Sequence, residues 1–164
     1  MQRFLILAVA AVVLAGCAPG AVEGFIASRY AGTYKGTWTN TTTGATGPGA
    51  IAVALNAGKR TLTLTVDFDG NYLGLNDPPP ITMIGTYDTK GAVLKGDDPI
   101  MGAYDVTIDR NGKIVGLLRF LPGGSVPEMR YTGRLTGDKI ETDYTVTLAD
   151  GKVAESIFRA QKVK

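Results

Sequence analysis

Thr61-Leu62-Thr63-Leu64-Thr65-Val66-Asp67-Phe68 alternates without a break: every second residue is apolar, and the residues between are threonine or aspartate. Successive side chains of a strand point to opposite faces, so this stretch predicts a β-strand with one buried and one wet face. From Thr33 onward the period of two persists, and no window of ten or more residues carries a helical stripe.

The same alternation appears in Tyr34/Gly36/Trp38, Ile51/Val53/Leu55, Tyr104/Val106/Ile108 and Ile114/Gly116/Leu118/Phe120. Met129/Tyr131/Gly133/Leu135 and Ile140/Thr142/Tyr144/Val146/Leu148 continue it. Asp88-Thr89-Lys90-Gly91, Asp109-Arg110-Asn111-Gly112, Thr136-Gly137-Asp138-Lys139 and Ala149-Asp150-Gly151-Lys152 each join two such runs. Glycine there supplies the positive φ that tight turns require. The expectation is an all-β, antiparallel up-and-down meander of about 8–10 strands. With one apolar face it closes into a barrel or folds into a sandwich, and closure, which removes exposed edges, is preferred. Gly36, Gly85, Gly102, Gly116 and Gly133 inside strands suit the sharp bends of a barrel.

Three longer connections interrupt the rhythm: Asn40 to Gly49, Gly70 to Pro80 and Leu121 to Pro127. If the barrel has a mouth, these are expected to line it. A membrane-spanning pore would show an outward apolar band with aromatic girdles. The outward positions are instead mostly Thr, Lys, Arg, Asp and Glu, which predicts a soluble barrel beside a membrane.

The membrane enters through the first residues. Arg3 precedes Phe4 to Ala15, an apolar run with the length of a signal h-region. It is too short for a spanning helix, which needs about 20 residues. Leu14-Ala15-Gly16-Cys17 closes the run and resembles the lipobox of bacterial lipoproteins. The resemblance implies that 1–16 form a signal helix that is cleaved off, that Cys17 carries a diacylglycerol, and that the new amino terminus is acylated too. Two or more acyl chains anchor a protein stably. Ala18 stands where inner-membrane-retained lipoproteins commonly carry aspartate, so the resemblance implies an outer membrane, periplasm-facing location in a host that has one. Residues 17–31 then read as lipidated terminus and tether, and 32–164 as a single β-barrel domain. Val22, Phe25, Ile26 and Tyr30 in the tether suit a turn or two of helix, or a plug for one end of the barrel.

Composition excludes more than it names. Seventeen basic residues face 15 acids, a balance that argues against nucleic acid as a partner, and no run is dense enough in Lys or Arg to indicate attachment to anionic lipid. Cys17 is the single cysteine, so no internal disulfide forms, and histidine is absent, which removes the commonest general base and zinc ligand. Ser28, Ser125 and Ser156 sit in no nucleophile motif, and no phosphate-cradling glycine loop occurs. Asp67, Asp69 and Asn71 start like a calcium loop, but Tyr72 and Pro78 stand where glycine and glutamate are needed. Asp97-Asp98-Pro99 reads as a turn. No catalytic residue, metal site or cofactor is expected, and a two-carboxylate enzyme acting on glycan or lipid is the lesser alternative.

Gly36-Thr37-Trp38 on the first strand resembles the opening Gly-X-Trp of the calycins, the lipocalins above all. Thr142-Asp143-Tyr144 is similar to that family's second motif, and Arg159 to the basic residue that packs across the tryptophan. The resemblance implies a calycin-like barrel closed by Gly36, Trp38 and Arg159 as structural residues. Such a barrel either fills its interior or keeps a cavity for one apolar ligand. The expected protein is a non-enzymatic, membrane-anchored envelope lipoprotein that binds a small apolar ligand, with a structural or assembly module contacting another envelope protein as the alternative.

Overall fold

Where apolar and polar residues alternate, one face of each strand must find cover, and ten strands here find it in each other. The structure, a computed structural model, describes Phe25 and residues 27–72, 75–99, 102–119 and 127–164. The signal segment, Cys17, most of the tether and the connection Leu121 to Val126 lie outside the described residues. A 3-10 turn, Ala27–Arg29, leads into β1 (Gly32–Asn40), β2 (Thr46–Asn56) and β3 (Thr61–Phe68). A small hairpin follows, β4 (Asn71–Tyr72) with β5 (Leu75–Asn76). The meander resumes with β6 (Ile81–Asp88), β7 (Gly91–Asp98), β8 (Gly102–Asp109) and β9 (Lys113–Arg119). It ends in β10 (Glu128–Leu135), β11 (Lys139–Thr147) and β12 (Val153–Lys162).

The strands β1, β2, β3 and β6 to β12 form a closed antiparallel barrel in which β12 returns to pair with β1. Each barrel strand pairs with its neighbours in the chain, except that the hairpin is bypassed and β3 pairs directly with β6. At the closing seam Tyr34 faces Lys162 and Trp38 faces Phe158. Gly36 faces Ala160 there, and a Cβ on it would lie 1.9 Å from the Arg159 carbonyl oxygen. Only a residue without a side chain lets β1 and β12 approach so closely.

One connection is shorter than expected. Asn40 to Gly49 reads as a loop in sequence, yet β2 begins at Thr46. Proline interrupts a ladder because it lacks an N–H, but Pro48 lies where that loss costs nothing. Its carbonyl accepts from Asp69 N at 3.1 Å, on the side where β3 has already ended at Phe68. The loop around Asn40 is instead held by that side chain, whose Oδ1 accepts from the amides of Thr42 and Thr43.

Inward positions form one core in which Tyr34, Leu62, Leu94, Val146 and Phe158 are fully buried. The barrel has two unlike ends. The turns β2–β3, β6–β7, β8–β9 and β10–β11 share one end with the start of β1 and the finish of β12. Phe25, Ala27 and Tyr30 are buried there, the Phe25 ring stacks on Tyr30 at 5.1 Å, and Phe25 N donates to Thr89 O at 2.7 Å. They plug that end. The opposite end holds the β1–β2, β3–β6, β7–β8 and β11–β12 connections.

Candidate functional site: an apolar cavity with tyrosine hydroxyls

Between the plug and the opposite end lies an internal cavity of about 90 Å³. Its walls are side chains such as Val106, Leu118, Met129, Ile140 and Phe158, which alternation has turned inward from five strands. Among the described residues that line it, the only polar side-chain groups are the hydroxyls of Thr142, Tyr72, Tyr131 and Tyr144.

The tyrosines come from different places for different local reasons. Tyr131 and Tyr144 face each other across the β10–β11 ladder. Tyr131 also pairs with Gly116 of β9, and its ring occupies the space a Cβ there would need, 2.1 Å from the ring's far carbon. Tyr72 comes from the small hairpin, where Asp77 Oδ1 accepts from Gly70 N at 2.7 Å and Asp77 N donates to Gly70 O at 2.9 Å. That clasp turns Tyr72 into the barrel end, against Trp38, Phe68 and Tyr144.

Their hydroxyls are poorly provided for. Tyr72 and Tyr131 donate to the sulfurs of Met129 and Met83, each at 4.0 Å, and a thioether is a weak acceptor. Tyr144 is 5 % exposed and its hydroxyl has no hydrogen-bond partner. Tyr72 and Ser156 lie close enough to influence its ionisation without aligning as partners. Leaving a buried hydroxyl unsatisfied costs about 1–3 kcal/mol. Burial pushes all three phenols above the ordinary tyrosine pKa, so they are neutral at physiological pH. They can donate or accept a hydrogen bond and cannot act as bases.

The residues singled out in the sequence fall as follows. Trp38 is 2 % exposed at the end opposite the plug, and its Nε1 donates to Asp69 O at 3.0 Å. Gly36 lies at the β1–β12 seam. Arg159 does not pack across Trp38: alternation turns Phe158 inward and Arg159 outward. Its guanidinium bonds Thr142 O at 2.7 Å and Asp143 Oδ1 at 2.5 Å, tying β12 to β11 from outside. Among the described residues no three of His, Cys, Asp and Glu come together as a metal site. Sequence reasoning missed the tyrosine trio. Tyr131 and Tyr144 sat in the quoted inward rows, where a phenol amid aliphatic residues was the available signal. Tyr72 gave none, because a two-residue strand has no periodicity to read.

Comparisons with known proteins divide along the chain. Residues 1–18 match the family model of the prokaryotic membrane lipoprotein lipid attachment site. No curated protein sequence matches the chain. The barrel is similar to solved structures at low identity, which carries the fold alone. Rv2717c from M. tuberculosis is 13 % identical with a TM-score of 0.57, over 84 % of this chain and 94 % of that one. A DUF3598-family protein of unknown function from Nostoc punctiforme is 12 % identical with a TM-score of 0.60. That match covers 86 % of this chain and half of the other. The S-type phycobiliprotein lyase CPES from Guillardia theta is 10 % identical with a TM-score of 0.51, over 84 % and 90 %. With Cys17 inside the matched attachment site, the chain is a lipid-anchored lipoprotein of the cell envelope carrying a closed ten-stranded β-barrel.

Proposed function

We propose that the barrel is a non-enzymatic binding module that takes a compact apolar ligand with one polar atom into its interior. The observation that carries this reading is the apolar cavity lined by Tyr144, whose hydroxyl is buried and unpartnered. An apolar ligand would replace empty space, and its polar atom would satisfy the phenol. At about 90 Å³ the cavity is well below the ~300–1,000 Å³ of sites for drug-sized ligands, so the ligand is a few heavy atoms or the tip of a longer molecule. The described residues of the cavity wall are aliphatic, aromatic and hydroxyl side chains, the lining of a site that binds an apolar ligand. The lyase among the fold neighbours contributes the fold and no chemistry. Ala18 after the lipidated cysteine favours the outer membrane, with the barrel on the periplasmic side.

Native mass spectrometry of the full lipidated protein, released from its cells in mild detergent, tests the reading. A discrete mass above the acylated chain, lost on denaturation, is the expected result. Bare acylated polypeptide at every detergent strength would end it.

A second reading has one observation behind it. Ile84, Val93 and Val115 are each about half exposed on the outer face of β6 to β9, with Val93 and Val115 aligned in one row through Thr107. Such a patch suits contact with another envelope protein. Crosslinking from Val93 in intact cells would give one dominant protein adduct under this reading, and none above background otherwise.

A further inference from the structure

No run of the sequence is dense in lysine or arginine, yet the up-and-down topology gathers them at one place. At the plugged end, counting among the described residues the turns, the strand residues flanking them and the two terminal segments, stand nine basic residues. They are Arg29, Lys59 and Arg60, Lys90, Arg110 and Lys113, Lys139, and Lys162 with Lys164, and all are exposed except the half-buried Lys162. Among the described residues three acids share that end, and each is occupied in its own turn. Asp88 Oδ1 accepts from the Lys90 and Gly91 amides, Asp109 Oδ1 from those of Asn111 and Lys113, and Asp138 Oδ1 from Thr136 Oγ1. No ion pair among the described residues engages Lys59, Arg60, Lys90, Arg110, Lys113 or Lys139.

The opposite end has the reverse balance. Counted the same way, Asp69, Asp77, Asp98, Glu128 and Asp150 outnumber Arg119 and Lys152, both of which are paired with acids. The molecule is nearly neutral as a whole and strongly polarised along the barrel axis.

Phe25, the first described residue after Cys17 in the chain, sits at the basic end. It is fixed to the β6–β7 turn and lies eight positions after Cys17, a span of about 26 Å at roughly 3.3 Å per residue when extended. We propose that the plugged end of the barrel is a membrane-docking face, which binds the anionic headgroups of the leaflet holding the acylated Cys17 and turns the Trp38 end away from the bilayer. Each basic residue near an anionic surface strengthens association about fivefold, within a Debye length of about 8 Å at physiological salt. A segment of that length lets the face reach that layer. This inference rests on the anchor and the charge distribution, and stands independently of ligand binding.

The test is lysine footprinting of the full lipidated protein in vesicles, using an uncharged acetylating reagent read by mass spectrometry. In phosphatidylglycerol-rich vesicles, Lys59, Lys90 and Lys139 should react severalfold more slowly than in pure phosphatidylcholine vesicles, while Lys152 at the far end is unchanged. Molar salt should remove the difference. The double variant Lys59→Glu/Lys90→Glu, altered only at exposed turn positions, should lose the protection of Lys139. Equal reactivity in the two vesicles, equal slowing of Lys152, or Lys139 still protected in the double variant would each overturn the proposal.

Discussion

Tyr72 meets Trp38 edge to face, with ring centroids 5.3 Å apart and planes at 73°, and this contact seats the small β4–β5 hairpin on the end of the barrel opposite the plug. Tyr72 also packs on Phe68 at 4.7 Å, so one side chain joins the hairpin, β1 and β3. Tyr72→Ala should therefore destabilise the barrel by about 3–5 kcal/mol, the range for deleting a buried aromatic ring. Urea unfolding measures the loss. The same variant should admit an apolar fluorescent dye that the parent excludes, since the ring now fills one wall of the cavity.

Trp38 and Arg159 should part company under mutation. Trp38→Ala removes a buried ring and the bond to Asp69 O, and a loss of about 3–5 kcal/mol is expected. Arg159→Met removes an exposed ion pair with Asp143 and bonds to β11 on the outer face, so its effect should stay near 1 kcal/mol or below. Paired denaturation curves decide, and equal losses would restore to Arg159 the inner packing role that the calycin resemblance implies.

Gly36→Ala should cost about 2–3 kcal/mol, because its new methyl meets the Arg159 carbonyl on the facing strand, which neither strand can vacate without opening the seam. Gly116→Ala should cost less. Its methyl meets the far end of the Tyr131 ring, which can swing toward the cavity. Thermal unfolding of the two variants gives the ranking.

Alkali should unfold the protein. Tyr34 is pushed up to about 12, by burial first and then by Asp138 and Tyr30, and burial raises Tyr72, Tyr131 and Tyr144 as well. In the unfolded chain these phenols ionise near pH 10, while the folded chain keeps its protons. Stability is therefore flat below pH 10 and falls above it, approaching about 1.4 kcal/mol per pH unit for each fully buried tyrosine. Urea midpoints between pH 8 and 12 measure the slope.

Most of the barrel was legible because alternation is a local property. Thr61 to Phe68 and Ile140 to Thr147 declare their faces residue by residue, and the glycine turns declare their neighbours. The start of β2 was hidden by Pro48, whose fitness for a strand depends on where β3 ends. Arg159 was misread because a family pattern was carried over without its strand parity. Tyr72 was obscure because a two-residue strand has no periodicity, and the basic end because its residues are far apart in sequence and topology alone brings them together.

The central claim is that Tyr144 offers its buried hydroxyl to a ligand, and the most direct measurement pairs native mass spectrometry with urea unfolding for wild type and Tyr144→Phe. Removing an unsatisfied hydroxyl should leave the ligand-free fold as stable as before, or up to about 1–3 kcal/mol more so. The mass of the co-purifying ligand should meanwhile be present in the wild type and strongly reduced in the variant. Equal ligand occupancy in both proteins, or a variant whose only change is lost stability, would contradict the account.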